Sequence, residues 1–114
     1  VLMISVEGLL AALSGEAAEA RAAVARVEAR RQAFGHYHHA QYDIACIFAL
    51  LGELARALEV LAAAAANGFP CGDFFAIDPL LANLRGTPAF RGLLAKLEAE
   101  KARYRAIYAE VSGR

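Results

Sequence analysis

The sequence contains no tryptophan, one threonine, one methionine and only three prolines in 114 residues. Alanine, by contrast, occupies 28 positions, and β-branched residues are few. Because alanine is the strongest helix former and strands favour β-branched residues, this composition predicts an all-α fold. An apolar content of 59% without net charge excludes an intrinsically disordered chain. The length suits one domain, covering residues 1–114, and the start at Val1 rather than methionine suggests a fragment of a larger protein.

The sequence also lacks an excess of charge of either sign, since 12 basic residues balance 12 acidic ones. Nucleic-acid binders carry a basic excess, so no nucleic-acid partner is expected. No run approaches the roughly 18 apolar residues of a membrane span, so no membrane partner is expected either. Two cysteines, Cys46 and Cys71, provide no disulfide framework. They predict reduced thiols and a cytoplasmic location.

Glycine and proline positions divide the chain into helices. Gly15 and Gly52 lie where helices can end, because glycine tolerates the left-handed conformation of a C-cap. Pro79 and Pro88 each follow an N-capping residue, which is typical of a helix start. The sequence thus predicts helices near 3–13, 17–33, 37–51, 54–66, 79–85 and 88–110.

An internal repeat relates the first half of the chain to the second. An offset of 37 residues aligns Gly15 with Gly52 and Ala20 with Ala57. A helical hairpin that recurs at such a spacing is typical of a solenoid, in which each unit covers a face of its neighbour. We expect one hairpin at about 3–33, a second at about 37–67 and a capping hairpin at about 74–110.

The second hairpin resembles a tetratricopeptide repeat. The residues that carry the resemblance, in order and spacing, are Ile44-Ala45, Phe48, Gly52, Ala57, Leu61, Ala64 and Phe69-Pro70. Gln41 replaces the family's tryptophan. The segment from 68 to 94 is similar to the one that closes many bacterial tetratricopeptide arrays, and the resemblance covers roughly residues 5–97. It implies a superhelical stack of antiparallel helical hairpins with a C-terminal capping hairpin.

The resemblance further implies a non-catalytic module that binds a peptide or a partner helix, as the C-terminal part of a bacterial regulatory protein. No cofactor is implied, and no nucleophile paired with a base and no glycine-rich phosphate loop is recognised in the sequence. In such stacks the first helix of each hairpin lines a binding groove. Carried over to this chain, the groove residues are Ser5, Leu9, Ala12, His39, Tyr42, Cys46 and Ala49.

Two alternatives to partner binding stay open. The first is self-association, because the outer side of the first helix and the strip from Tyr104 to Val111 are both apolar. These two surfaces cover each other either within one chain or across the two-fold axis of a homodimer. The second alternative is a metal or small-ligand site at His36, His39 and Asp43, since residues three and four apart share a helix face.

Overall fold

The computed structural model describes residues 1–33 and 35–113, and this part of the chain is all-helical. The helices are α1 (Leu2–Leu13), α2 (Ala17–Glu28), a 3₁₀ helix (Arg31–Ala33), α3 (Tyr37–Leu50), α4 (Leu54–Ala66), α5 (Gly72–Ile77), a second 3₁₀ helix (Pro79–Leu84) and α6 (Pro88–Ser112). Two differences from the predicted helices stand out: α2 ends at Glu28 rather than at residue 33, and α5 was not predicted. No helix within the described ranges is long and apolar enough to cross a membrane.

The turns that follow α1 and α3 have the same backbone geometry. In each turn a glycine, Gly15 or Gly52, adopts a φ of +78°. The residue after the glycine donates its N–H to a carbonyl in the preceding helix, over 2.8 Å in the first turn and 2.9 Å in the second. This Schellman pattern satisfies carbonyl groups that a helix end otherwise leaves unpaired. The 37-residue offset therefore holds for the backbone of the two turns as well as for the sequence.

The two hairpins pack together mainly through their first helices. α3 packs against α1, α4 and the 3₁₀ helix 79–84, and α1 packs against α2 and α3. Ala20 and Ala57, which the repeat makes equivalent, are both fully buried. A Cβ atom added at Gly8 in α1 would lie 2.8 Å from Cδ1 of Ile47 in α3. The backbone of α1 can approach α3 this closely only because Gly8 has no side chain.

The segment from α5 to the start of α6, which we call the capping segment or cap, packs against α3 through the 3₁₀ helix 79–84. The predicted N-caps are present: Asp78 accepts a hydrogen bond from the N–H of Leu80, and Thr87 accepts one from the N–H of Phe90. Arg85 donates to the carbonyl oxygens at the end of α5, those of residues 76 and 78, over 2.9 and 2.8 Å. The large side chains buried in this cap are Phe75, Leu81, Leu84 and Phe90.

The second half of α6 projects away from the rest of the molecule. Every residue from 102 to 113 is exposed, including the apolar side chains of Tyr104, Ile107, Tyr108 and Val111. The molecule measures 54 × 34 × 17 Å, and its radius of gyration of 15.5 Å exceeds the value of about 13 Å for a compact chain of this length. The end of α6 therefore does not fold back onto α1 within the chain.

Candidate functional site

The structure buries most of the residues predicted to line a groove. Their exposed fractions are 0% for Ser5, Cys46 and Ala49, 7% for Tyr42 and 8% for Ala12. Leu9 is half-buried, and His39 is exposed. At the 37-residue offset, the three predicted groove residues of α1 are equivalent to the last three of α3. The predicted groove therefore uses the same positions in both hairpins. A partner molecule can reach only Leu9 and His39 of this set unless the chain opens.

The capping segment covers the groove side of α3. The Tyr42 hydroxyl donates a hydrogen bond to the Asp78 carboxylate. In the last turn of α3, Nδ2 of Asn83 donates to the carbonyl oxygen of Ala49 over 2.8 Å. The ring of Phe75 stacks on Tyr42 with centroids 5.5 Å apart. The position beside α3 that a bound peptide was expected to occupy is thus filled by the chain's own 3₁₀ helix and its neighbours.

Burial also changes the acid–base behaviour of Tyr42 and Cys46. Burial raises the pKa of the Cys46 thiol to about 12, and the nearby Asp78 acts in the same direction. Burial and, after it, the hydrogen bond to Asp78 raise the pKa of the Tyr42 phenol. Both groups therefore keep their protons at neutral pH. A thiol held in this state is a poor nucleophile, since the thiolate is the reactive form.

Thiol labelling checks whether the cap stays closed over α3. Cys46 is fully buried, whereas Cys71 is half-buried at the surface. We therefore expect N-ethylmaleimide to label Cys71 in the native protein and both thiols after unfolding, as read by mass spectrometry. Cys71→Ser serves as the control and should leave no rapidly labelled thiol. Rapid labelling of Cys46 in native Cys71→Ser would contradict the closed arrangement.

A polar contact shows which face of α3 is turned toward α1. The Ser5 hydroxyl oxygen lies 2.6 Å from Oδ2 of Asp43 and 2.8 Å from the carbonyl oxygen of Leu2. Burial raises the pKa of Asp43, while the hydrogen bond from Ser5 and the charge of His39 oppose this rise. Together with the approach of Gly8 to Ile47, this contact shows that α1 covers the face of α3 that contains residues 40, 43 and 47.

The equivalent face of α1 is uncovered. The repeat maps residues 40, 43 and 47 onto Met3, Val6 and Leu10. Ala40 and Ile47 are 0% exposed in α3, whereas the exposed fractions in α1 are 75% for Met3, 46% for Val6 and 60% for Leu10. Leu13, one turn further along, is 58% exposed. We call these four residues of α1 (3, 6, 10 and 13) the α1 outer face.

Acidic side chains lie beside the α1 outer face. A surface groove of about 490 Å³ between α1 and α2 is lined in part by Glu7, Glu16, Glu19 and Arg26. Arg26 lies 3.4 Å from Glu7, so the two charges are paired. Glu16 and Glu19 leave the rim of the apolar surface negative, which favours a partner with positive charges at its edges.

A second open surface lies between α4 and α6. A groove of about 770 Å³ is lined by Tyr104 and Tyr108, by the turn after α4 and by the basic residues Lys101 and Arg105. Lys101 is paired with Asp73 over 2.9 Å. We call residues 101–112 the α6 tail. It combines exposed apolar side chains with three basic residues against one acidic residue.

The histidines form a different group from the one predicted. His36 and His39 lie together, but the third member is His38, and ring nitrogens of the three residues lie within 4.8 Å of one another. Asp43, the third ligand in the predicted set, belongs instead to the contact with Ser5. Helical spacing could not find His38, because residues two apart do not face each other on a helix.

The α1 outer face was recognised in the sequence as apolar but not as a matched position of the repeat. The signal was available, because the 37-residue offset assigns each of its residues a partner in α3. The offset alone does not show which face of α3 is covered. The packing of α1 on α3 shows this. No protein-family model, curated protein or solved structure matches this chain.

Proposed function

We propose that this chain is a non-catalytic protein-interaction module, a tetratricopeptide-like stack that binds an amphipathic helix of a partner protein on the α1 outer face. The observation that carries the proposal is the exposure of Met3, Val6 and Leu10 at positions whose equivalents in α3 are covered by a helix. Apolar patches of this kind on a protein surface are typical of interaction sites. The unpaired cysteines support a reducing compartment such as the cytoplasm, and the similarity of the segment from 68 to 94 supports a bacterial regulatory protein.

The way α1 covers α3 indicates what the partner helix looks like. The buried residues of α1 are all small: Ser5, Gly8, Ala11 and Ala12. Small side chains let two helix backbones approach, so that the larger side chains of the other helix fill the space between them. A partner helix that covers α1 in the same way carries small residues three and four positions apart. Lysine or arginine beside that row would lie near Glu16 and Glu19 at the rim.

A displayed library of helical peptides tests this proposal with the chain as it exists. We expect selected peptides to combine a row of small residues with flanking basic residues. Chemical-shift changes in the chain should map to the α1 outer face when a selected peptide binds. Leu10→Glu should weaken binding by at least about tenfold, because it places a charge at the centre of the apolar contact.

Ile77→Glu provides a matched control for the peptide experiment. Ile77 is 73% exposed on α5, away from α1, so its replacement introduces the same charge on another part of the surface. Binding should be unchanged in this variant. Selected peptides that shift residues of α3 or the α6 tail instead, or that bind Leu10→Glu normally, would overturn the proposal.

Self-association is a second candidate function, favoured by the opposite charges of two exposed apolar surfaces. The α6 tail is basic and apolar, whereas the α1 outer face is apolar with an acidic rim. Both surfaces are exposed in the chain, so neither covers the other internally. In a homodimer with a two-fold axis, each α6 tail would lie on the α1 outer face of the other copy. Such a dimer would place Arg105 near Glu16 or Glu19, and the zero net charge of the chain adds no long-range repulsion.

Sedimentation equilibrium of the isolated chain distinguishes this candidate from the first. A dimer has twice the chain mass of 12.1 kDa at high micromolar concentration. Ile107→Glu in the α6 tail and Leu10→Glu should both restore the monomer, whereas Ile77→Glu should not. A strict monomer would remove self-association and leave partner binding intact, because only the second candidate requires the α6 tail.

A further inference from the structure

We propose that His36, His38 and His39 form a binding site for a divalent transition-metal ion of the zinc class at the start of α3. One ring nitrogen of each residue lies within 4.8 Å of the others, and the imidazole centroids of His38 and His39 are 4.4 Å apart. The ring of His36 lies 5.9 Å from that of His38 and 6.2 Å from that of His39. These are all the histidines of the chain.

The backbone at the start of α3 explains why these three side chains converge. His36 is the N-cap residue, with φ −111° and ψ 41°, so its backbone is not helical. On a continuous helix, residues two apart point in different directions, and His36 could not approach His38. The non-helical backbone instead brings the ring of His36 over the first turn, beside the other two rings.

The turn after α4 packs against the rings of His38 and His39. A Cβ atom built at Gly68 would lie 3.5 Å from the His38 ring. The Phe69 ring lies 5.4 Å from that of His39 and 6.5 Å from that of His38. These contacts place the two imidazoles next to each other. His36 and His39 are exposed on the open side, so an ion can enter from solvent.

Metal coordination requires only a small inward movement of the rings. Ligand nitrogens at about 2.0–2.1 Å from a tetrahedral zinc ion are separated by about 3.3 Å. Rotation about the side-chain bonds of His36 and His39 can supply this change from the present spacing. Three protein ligands leave the fourth position open to water or to a side chain of a partner, as in zinc sites that are not purely structural.

The donor set selects the class of ion. Three imidazoles without a carboxylate suit Zn²⁺, Cu²⁺, Ni²⁺ or Co²⁺, whereas Mg²⁺ and Ca²⁺ prefer oxygen ligands. The positive end of the α3 dipole acts against a cation here. We therefore expect a site weaker than a structural zinc site.

Titration calorimetry with ZnCl₂ on the full chain, without a histidine tag, tests the site. We expect one Zn²⁺ per chain and no heat from MgCl₂ at the same concentration. His36→Ala and His39→Ala remove exposed rings, and each should weaken binding by at least about tenfold. Substitution with Co²⁺ should give the visible absorption of a tetrahedral site with nitrogen ligands in the wild-type chain and lose it in His39→Ala.

Asp43→Asn is the control that separates this site from a set of His36, His39 and Asp43. If the three histidines are the ligands, Asp43→Asn leaves the affinity for Zn²⁺ within about threefold, because it changes only a neighbouring charge. A loss of binding in Asp43→Asn would overturn the three-histidine site. So would the absence of Zn²⁺ binding by the wild-type chain, or unchanged binding by a His39→Ala variant whose helical circular dichroism is normal.

Discussion

Phe75→Ala is expected to lower the free energy of unfolding by about 3–5 kcal/mol, which is the cost of deleting a large aromatic side chain from a packed core. Phe75 is 0% exposed and packs against the ring of Tyr42, 5.5 Å away, and that of Phe69, 5.9 Å away. α5 has only six residues, too few to be stable by its own hydrogen bonds. Its position therefore depends on packing against the rest of the chain, and Phe75 is its buried residue. Urea denaturation followed by circular dichroism measures the change.

The neighbouring residue provides a matched control for Phe75. Phe74 belongs to the same helix and has the same side chain, but 46% of it is exposed. Phe74→Ala should therefore cost about 1 kcal/mol or less, in keeping with its partial burial. Thiol labelling adds a second measurement, because loosening of the cap in Phe75→Ala should expose Cys46 to maleimide. Equal losses of stability in the two variants would show that α5 does not pack through Phe75 as described.

Ala57→Phe is expected to lower the free energy of unfolding by about 3 kcal/mol, at the upper end of the cost of overpacking a core. Ala57 in α4 is 0% exposed, so an aromatic ring at this position has to displace the residues packed around it. The repeat makes Ala20 in α2 its equivalent, and this residue is also 0% exposed. Ala20→Phe should therefore have a similar effect. Thermal and urea unfolding of both variants check this pair.

The repeat also supplies the controls for the alanine experiment. Ala18 and Ala55 are related by the same 37-residue offset, and both are exposed. Phenylalanine at either position should change the free energy of unfolding by no more than about 0.5 kcal/mol. The expected result is two large losses at the buried pair and two small changes at the exposed pair. An unchanged melting temperature in Ala57→Phe would contradict the equivalence of the two hairpins.

The proposed partner surface and the proposed metal site are separable by these variants. Leu10→Glu acts on the α1 outer face and should not alter Zn²⁺ binding, because α1 contributes no histidine. His39→Ala acts at the start of α3 and should not alter the binding of a helical peptide to α1. An effect of either variant on both measurements would indicate a change of fold rather than the loss of a contact.

Local signals in the sequence determined the positions of the main helices and their turns. Gly15 and Gly52 end helices because a residue with φ of +78° strains any side chain that carries a Cβ atom. Asp78 and Thr87 begin helices because their side chains accept hydrogen bonds from backbone N–H groups that have no partner within the helix. The equivalence of Ala20 and Ala57 also followed from spacing alone. The turns and caps depend on neighbours within a few residues along the chain, whereas the alanine pair depends on the 37-residue repeat.

The end of α2 and the presence of α5 depend on packing rather than on helix propensity. The sequence predicted that α2 continues to residue 33, since alanine and arginine favour helix there. α2 ends at Glu28 because α1, its packing partner, has only 12 residues, and the residues from 29 to 32 are exposed. α5 was missed because six residues are too short to show a periodic pattern. In both cases a neighbouring element decides where the helix is stable.

The surfaces were decided by tertiary structure alone. The sequence placed Tyr42 and Cys46 on one side of α3, but the groups that bury Tyr42 lie later in the chain, among them Asp78, 36 positions on, and the ring of Phe75. The 37-residue repeat assigns each residue of α1 an equivalent in α3, but only the packing of α1 on α3 shows which face of α1 is left exposed. Helical spacing likewise paired His36 with His39 and omitted His38, because the backbone of an N-cap residue does not follow that spacing. Spacing along the chain specifies which residues share a helix face, whereas contacts between distant segments decide which face is buried.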